Sequence, residues 1–423
     1  MQSDPNRDDE DRANSLAVVL PLAVTGFIIA AGCWTLFAVA GFHLREALQL
    51  TGLQFGLLLA MPMAVGAVLA VPGGLIAQAL GARRVMIWAL AGLSACMLLL
   101  IAVTSYAGYL VAACGLGLTA AFYSAGLQFV MSHTPRHHVG LVLGVFSAGV
   151  IGAGLNYYVV PLLYQAFAWE AIPLAYLIVL LLVMVLMLLL TDNPDASAAP
   201  ETETSPRQLL ARLRHWRIWR LCFYFGSVAG SFFAVALWLP DFLTSRFELP
   251  VDDVARLAQW FVIPGALAQV AGGGLADHFG VARVVSRALM VCLVALFVLS
   301  YPEMTLLVRG VEGIIQLEFA LPLPVERLFV VVLGATMGCA MGALLRMMVD
   351  QNPGATAFAA GMLLLSACSV AFLLPVVFAL VNQLLGVPSA AFMILFAILA
   401  ACLLLFTRVA RSAERQSLLS PRA

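Results

Sequence analysis

Gly73-Gly74-Leu75-Ile76-Ala77-Gln78-Ala79-Leu80-Gly81-Ala82-Arg83-Arg84-Val85 recurs, 199 residues later, as Gly272-Gly273-Gly274-Leu275-Ala276-Asp277-His278-Phe279-Gly280-Val281-Ala282-Arg283-Val284. Each copy joins the end of one long apolar run to the start of the next. Small residues let two helices approach closely and turn sharply, and the arginines hold the turn on one side of a bilayer. Two halves of similar design, both built from membrane-length apolar segments, imply a secondary transporter.

Composition requires the membrane. The AVILMFWYC set makes up 63% of the 423 residues and charged residues only 10%, against roughly 45–50% for a broader apolar set in soluble domains. A water-soluble fold could not hide that much apolar surface, so a bilayer must act as solvent. Zero formal net charge argues against nucleic acid as a partner. All 22 basic side chains are arginine, for which we have no mechanistic account. The eight cysteines (Cys33, Cys96, Cys114, Cys222, Cys292, Cys339, Cys368 and Cys402) stand singly in apolar runs and form no Cys-x-x-Cys pair. Neither a zinc nor a redox site is indicated, and no cofactor is expected.

A helix needs about 20 apolar residues to cross a bilayer. That rule predicts spans near 16–38, 53–77, 85–104, 107–131, 140–165 and 170–191, then 219–243, 257–277, 284–302, 328–350, 355–382 and 387–407. The expected organisation is a cytoplasmic leader (1–15), an N-terminal six-helix bundle (16–191), a flexible polar linker (192–217), a C-terminal bundle (218–408) and a cytoplasmic tail (409–423). Arginines crowd one set of loops, while the other side holds only Arg45, Arg246, Arg256, Arg309 and Arg327. This bias predicts a multi-pass protein of a bacterial inner membrane with both termini cytoplasmic. The connection at 303–327, where Glu303, Glu312, Glu318 and Glu326 alternate with apolar residues, reads as a lid, a docking loop for other membrane proteins or a tolerated insertion.

The turn Gly-x-x-x-Asp-x-x-Gly-x-x-Arg, intact from Gly273 to Arg283, resembles the signature loop of the major facilitator superfamily; its degenerate partner has Gln78 in place of the acid. The resemblance implies an all-α membrane protein of twelve transmembrane helices in two pseudo-symmetric bundles. The run Gly56 to Pro72, with Pro62, Gly66 and Ala70, is similar to the second helix of nitrate/nitrite (NarK-like) porters, and Pro135 to Pro161 to their glycine-rich fifth helix. Trp238-Leu-Pro240 and Gly265-Ala-Leu-Ala-Gln269 also fit that branch. Such porters hold their anion between an arginine in helix two and one in helix eight, where a guanidinium fork suits a planar oxyanion. Here those positions are Ala70 and Gln269. The glycine signature expected in helix eleven is poor as well, since Leu364 to Leu374 contains none. In length, single-domain organisation and porter-like shell the chain is also similar to MamH-type magnetosome proteins, which implies a link to iron transport for magnetite biomineralization. No short motif carries that likeness.

By the same resemblance, helices one, four, seven and ten line a central cavity. Trp34, Tyr123 and Phe232 fall near the middles of three of them and either wall a binding site or simply pack. Arg346 lies inside a span, ~8 Å from its cytoplasmic end at 1.5 Å per residue, and Gln128 is its counterpart in the pseudo-repeat. Arg346 is either a substrate or gating cation, or it snorkels to the cytoplasm or pairs with Asp350 at i+4. With Gln269 these are the cavity candidates. The gating candidates are Gly74, Gly81, Arg84, Gly273, Asp277, Gly280 and Arg283, with Asp277 expected to latch onto nearby cytoplasmic arginines. No nucleophile–base pair or metal constellation lies at membrane depth, as an enzyme would need. The substrate readings are iron, an organic solute, or nitrate or nitrite at a rearranged site, and a non-transporting sensor or scaffold is the alternative.

Overall fold

The structure, a computed structural model, describes residues 5–135, 138–191, 206–247, 251–301, 304–310, 313–319, 322–385, 387 and 389–419. Eleven of its helices are long and apolar enough to cross a membrane: Ser15–Gly41, Gly52–Leu80, Ala82–Ala102, Tyr106–Ser132, Val139–Phe167, Ala171–Leu190, Trp216–Pro240, Val281–Leu299, Leu323–Gln351, Thr356–Leu384 and Ala390–Ala410. A further helix, Val251–Phe279, is as long as any of the first-half spans but carries Asp252, Asp253, Arg256, Asp277 and His278. Placed in chain order it is the eighth of twelve, and the spans are numbered accordingly below.

Local chemistry sets several ends. Span two opens on a capping box, in which Gln54 N–H donates to Thr51 Oγ1 and the Thr51 N–H to Gln54 Oε1, satisfying two backbone donors that a helix N-terminus leaves free. The two repeated turns close on glycines in the left-handed region, Gly81 at φ 97° and Gly280 at φ 84°, where a β-carbon would be strained. Span one breaks at Thr35, between helices Pro5–Trp34 and Leu36–Ala47. There Asn156 Nδ2 of span five donates to Gly32 O (2.7 Å) and Thr35 Oγ1 (3.0 Å), and the Tyr176 hydroxyl of span six donates to Asn156 Oδ1. In a medium without water, a helix break persists only where such side chains replace lost backbone partners.

Spans one to six pack among themselves, as do seven to twelve, and the two groups meet where span two packs on span eleven and span five on spans eight and ten. The described part of the connection at 192–217 forms a helix at Pro206–Ala211 and a 3-10 turn at Arg212–Arg214, and 192–205 lie outside the described residues. The connection at 303–327 contains an antiparallel hairpin, Met304–Gly310 with Gly313–Phe319, paired from Met304↔Phe319 to Gly310↔Gly313. Glu326 belongs to the first turn of span ten.

Candidate functional site: a neutral cavity above a charged latch

Where the halves meet at mid-membrane, seven spans converge on one small void. Its wall is Phe27, Trp34, Tyr123, Ser147, Val150, Phe225, Phe233, Gln269, Met341 and Leu364, and it encloses about 10 Å³, barely room for one water. The Trp34 indole is aimed by its Nε1–H, which donates to Pro62 O at 3.0 Å, and its ring lies 5.4 Å from that of Phe233 in the other half. Phe27 packs on Tyr123 at 4.8 Å and on Phe146 at 5.4 Å. The Tyr123 and Ser147 hydroxyls share a hydrogen bond of 2.9 Å. Gln269 is 1% exposed, and its Nε2 has no hydrogen-bond partner. An unsatisfied buried amide costs about 1–3 kcal/mol, so this group is poised to donate to a guest.

Among the described residues no charged side chain lines the void. Of the predicted cavity residues, Trp34, Tyr123 and Gln269 come together there, and three do not. Phe232 faces away, its ring stacked on Phe261 at 4.8 Å, and the neighbouring Phe233 takes the wall position. Gln128 lies outside the wall with its Oε1 buried and unpartnered. Arg346 is engaged elsewhere. Ser147, Phe27 and Phe225 were not singled out, although the run Gly144-Val-Phe-Ser147-Ala-Gly149 marks the only hydroxyl in that part of span five.

The second constellation lies toward the end of the bundle that carries the repeated turns. Spans eight and ten run side by side in constant register: a β-carbon on Gly334 would lie 2.2 Å from Phe261 O, one on Gly338 1.9 Å from Gly265 O, and one on Gly342 2.1 Å from Gln269 O. A Gly-x-x-x-Gly stripe allows this backbone contact. One further turn along the stripe is Arg346. Its Nη1 donates to Asp277 Oδ1 at 3.1 Å, and its Nε lies 3.2 Å from Asp350 Oδ1. Asp277, with 6% of its side chain exposed, also reaches across to the other half. Its Oδ1 accepts from Gly140 N–H (3.0 Å) and its Oδ2 from Leu141 N–H (2.8 Å). These donors sit in the first turn of the helix Val139–Ser147, where N–H groups lack intrahelical partners and the helix dipole favours a negative charge. Asp277 therefore caps span five from outside its own bundle.

The cation beside Asp277 is Arg346, inside span ten, whereas Arg283 and Arg84 are exposed. Arg83, not Arg84, is engaged, donating to Thr191 Oγ1 (2.8 Å) and to the carbonyls of Met187 and Leu188 at the end of span six. Gly273 makes the close approach possible, since its β-carbon would lie 2.0 Å from Gly140 O. Gly74 holds the equivalent contact between spans two and eleven, 2.3 Å from Ala357 O. Below it Gln78, the neutral counterpart of Asp277, donates to Gly354 O at 2.9 Å. Ala70, at the first vacated clamp position, presents its carbonyl 2.4 Å from where Gly361 would carry a β-carbon. Gly361 precedes the stretch in which a glycine signature was sought. On the other side of the cavity, Tyr157 Oη of span five donates to Ala236 O of span seven at 3.3 Å, so the halves also touch there.

Comparison with known proteins places this arrangement. The sequence profile described as Major Facilitator Superfamily matches residues 22–321. The chain is 26% identical over 409 residues to a Thermus thermophilus protein described as "Probable nitrate/nitrite antiporter NarK1", covering 94% of this chain and 92% of that one. It is 25% identical over 261 residues to the "Nitrite extrusion protein" of Bacillus subtilis, covering 62% and 64%. Among solved structures, the human organic anion transporter MFSD10 superposes with TM-score 0.72 at 16% identity, covering 92% of this chain and 99% of that one. The transporter FucP superposes with TM-score 0.71 at 16% identity, covering 93% and 99%.

Proposed function

Because this chain belongs to the major facilitator superfamily, we propose that it is a secondary transporter that moves a small uncharged organic solute by alternating access across a bacterial inner membrane, with both termini cytoplasmic. The observation that carries the solute class is the cavity wall. Three neutral polar groups, Tyr123, Ser147 and the unpartnered amide of Gln269, sit among aromatic and aliphatic side chains. An ion taken out of water without a counter-charge loses several kcal/mol, whereas a neutral solute with one or two hydrogen-bonding groups matches these donors. The site is closed in this conformation, so entry requires the halves to part. Glycine contacts between spans two and eleven, and five and eight, provide the rocking surface.

A second reading, nitrate or nitrite at a rearranged site, is favoured by the names of the relatives. Against it stands the loss of both clamp arginines, worth orders of magnitude in affinity at 1.4 kcal/mol per tenfold. Iron supply of the MamH type has less support. Among the described residues no group of three or more His, Cys, Asp or Glu could hold a metal ion, and the relatives are described by nitrogen oxyanions. Counterflow in proteoliposomes, with labelled nitrate, nitrite, ferrous iron and a panel of neutral solutes, separates the readings. We expect no saturable nitrate or nitrite exchange from micromolar to millimolar concentration. For a neutral solute we expect exchange that weakens at least tenfold in Gln269→Ala. Saturable nitrate exchange would return the chain to the oxyanion porters; no exchange of any solute would favour the sensor or scaffold.

A further inference from the structure

A groove of about 630 Å³ opens on the outer surface of the bundle between spans seven and eleven, with Ile398 of span twelve at its edge. It is lined by Gly226 and Ser227, which open the π-helical segment Gly226–Gly230, and by Phe223, Ser369 and Leu373. Phe223 is 41% and Leu373 56% exposed, so in a bilayer this surface faces lipid. Two of the three serines that line it are engaged with backbone, Ser366 donating to Cys222 O (2.9 Å) and Ser369 to Leu365 O (2.7 Å). The groove is thus a mainly apolar trough. At about 30 Å³ per heavy-atom group, the share of a water in the liquid, it takes about 20 methylenes, the size of one lipid acyl chain.

Charge singles out one class of lipid. The end of span seven nearest the groove carries Arg217 and Arg220, the 3-10 turn just before it carries Arg212 and Arg214, and the sequence from Pro206 to Pro240 contains no acid. Arg220 lies on the same helical stripe as Phe223 and Ser227, at i+3 and i+7. Trp216 and Trp219 flank it at the level where indoles sit in membrane interfaces. We propose that this groove binds an anionic glycerophospholipid of the cytoplasmic leaflet, its phosphate on the arginines of 212–220 and one acyl chain along Phe223, Ser369 and Leu373. The site rests on the proposed membrane orientation. It backs directly on the cavity, because Phe225 and Leu364 line the cavity while their neighbours Gly226 and Leu365 line the groove. A lipid here braces the packing of span seven on span eleven.

Native mass spectrometry of the detergent-purified full chain tests this, titrating dioleoyl-phosphatidylglycerol against dioleoyl-phosphatidylcholine. Phosphatidylglycerol should bind in preference. Basic side chains near a membrane surface are each worth roughly fivefold in affinity for anionic lipid, so the double variant Arg217→Gln/Arg220→Gln should weaken phosphatidylglycerol about 25-fold and leave phosphatidylcholine unchanged. Ser369→Phe should weaken binding by filling the trough with the arginines intact. Leu373→Trp, at an exposed position, repeats that arm should Ser369→Phe fail to fold. Equal retention of the two lipids overturns the proposal. So does loss in the arginine variant with full retention in a correctly folded trough variant, which would reduce the site to surface attraction. Lipid retention does not read transport, and reporter fusions read orientation independently, so failure here is distinguishable from failure of the transporter reading.

Discussion

Replacing Asp277 by asparagine should loosen the contact between span eight and the start of span five without changing the cavity. The carboxylate accepts three hydrogen bonds, from Gly140 N–H, Leu141 N–H and Arg346 Nη1. Bonds to a charged acceptor are worth about 1.5–3 kcal/mol each, and neutral ones about 0.5–1.5. Asparagine is nearly isosteric but has one acceptor oxygen in place of two, so it loses one bond outright and the charge assistance of the others. Arg346 keeps Asp350, which is half exposed, and this tempers the cost of stranding a cation. The net loss is about 3 kcal/mol, or on the order of 100-fold in the equilibrium between closed and open latch. Hydrogen exchange measured by mass spectrometry reads this directly. The first-turn amides at Gly140 and Leu141 have no intrahelical partner, so their protection depends on Asp277. Exchange in peptides spanning 138–147 should accelerate about 100-fold, while peptides from 106–132 should not change. In proteoliposomes turnover should fall more than solute affinity. Unchanged exchange at 138–147 would refute the cap, and an affinity loss at constant turnover would move Asp277 into the binding site.

Gly273→Val should prevent the same contact sterically. Its side chain would meet Gly140 O at 2.0 Å, a cost of at least the 1–3 kcal/mol typical of overpacking, and exchange at 138–147 should rise as in Asp277→Asn. Tyr176→Phe should leave Asn156 Oδ1 buried without its donor, lowering stability by about 1–3 kcal/mol, read as an earlier thermal unfolding midpoint in detergent with solute specificity unchanged. Reporters fused after Ala198 and at Ala423 should both read cytoplasmic, because the arginine excess lies on that side; a periplasmic signal from either would overturn the orientation.

The spans were legible in the sequence because bilayer thickness imposes a run length that few other constraints produce. The two turns were legible because Gly81 and Gly280 occupy a backbone region that other residues rarely adopt. The site was less so. Membrane helices associate through shape and small residues, not through a hydrophobic stripe of fixed period, so little in Ser231–Phe247 announces which side chains face inward. Hence Phe232 was preferred to Phe233, one residue and 100° away. The sequence offered Arg346 its i+4 partner Asp350, which it has, but depth cannot tell a cation facing the cavity from one facing a neighbouring helix. Its partner Asp277 lies 69 residues away, and the amides that Asp277 caps lie 136 and 137 residues away. The hairpin at Met304–Phe319 had a signal, two β-rich runs bounded by Gly310 and Gly313, which the search for membrane-length segments passed over.

Span eight ties these observations together. Expected at 257–277 and formed as Val251–Phe279, it carries on one face Gly265, Gln269, Gly273 and Asp277, each four residues from the next. Gln269 lines the cavity with its Nε2 unpartnered, Gly273 lets span five approach, and Asp277 caps that span, while the register with Gly334, Gly338 and Gly342 fixes the helix against span ten. A solute that engages Gln269 Nε2 pulls on the same rigid rod whose far end holds the latch, two turns away. The two sites are therefore mechanically one element, and the packing of span eight against the glycines of span ten offers it few ways to move except with its whole bundle. Under the proposed function, occupancy of the cavity would reach the latch by a route that needs no charge on the solute. It also accounts for the asymmetry of the repeat: Gln78 holds only a neutral contact to Gly354, so the ionic term that resists opening is concentrated at the end of the helix that touches the cavity.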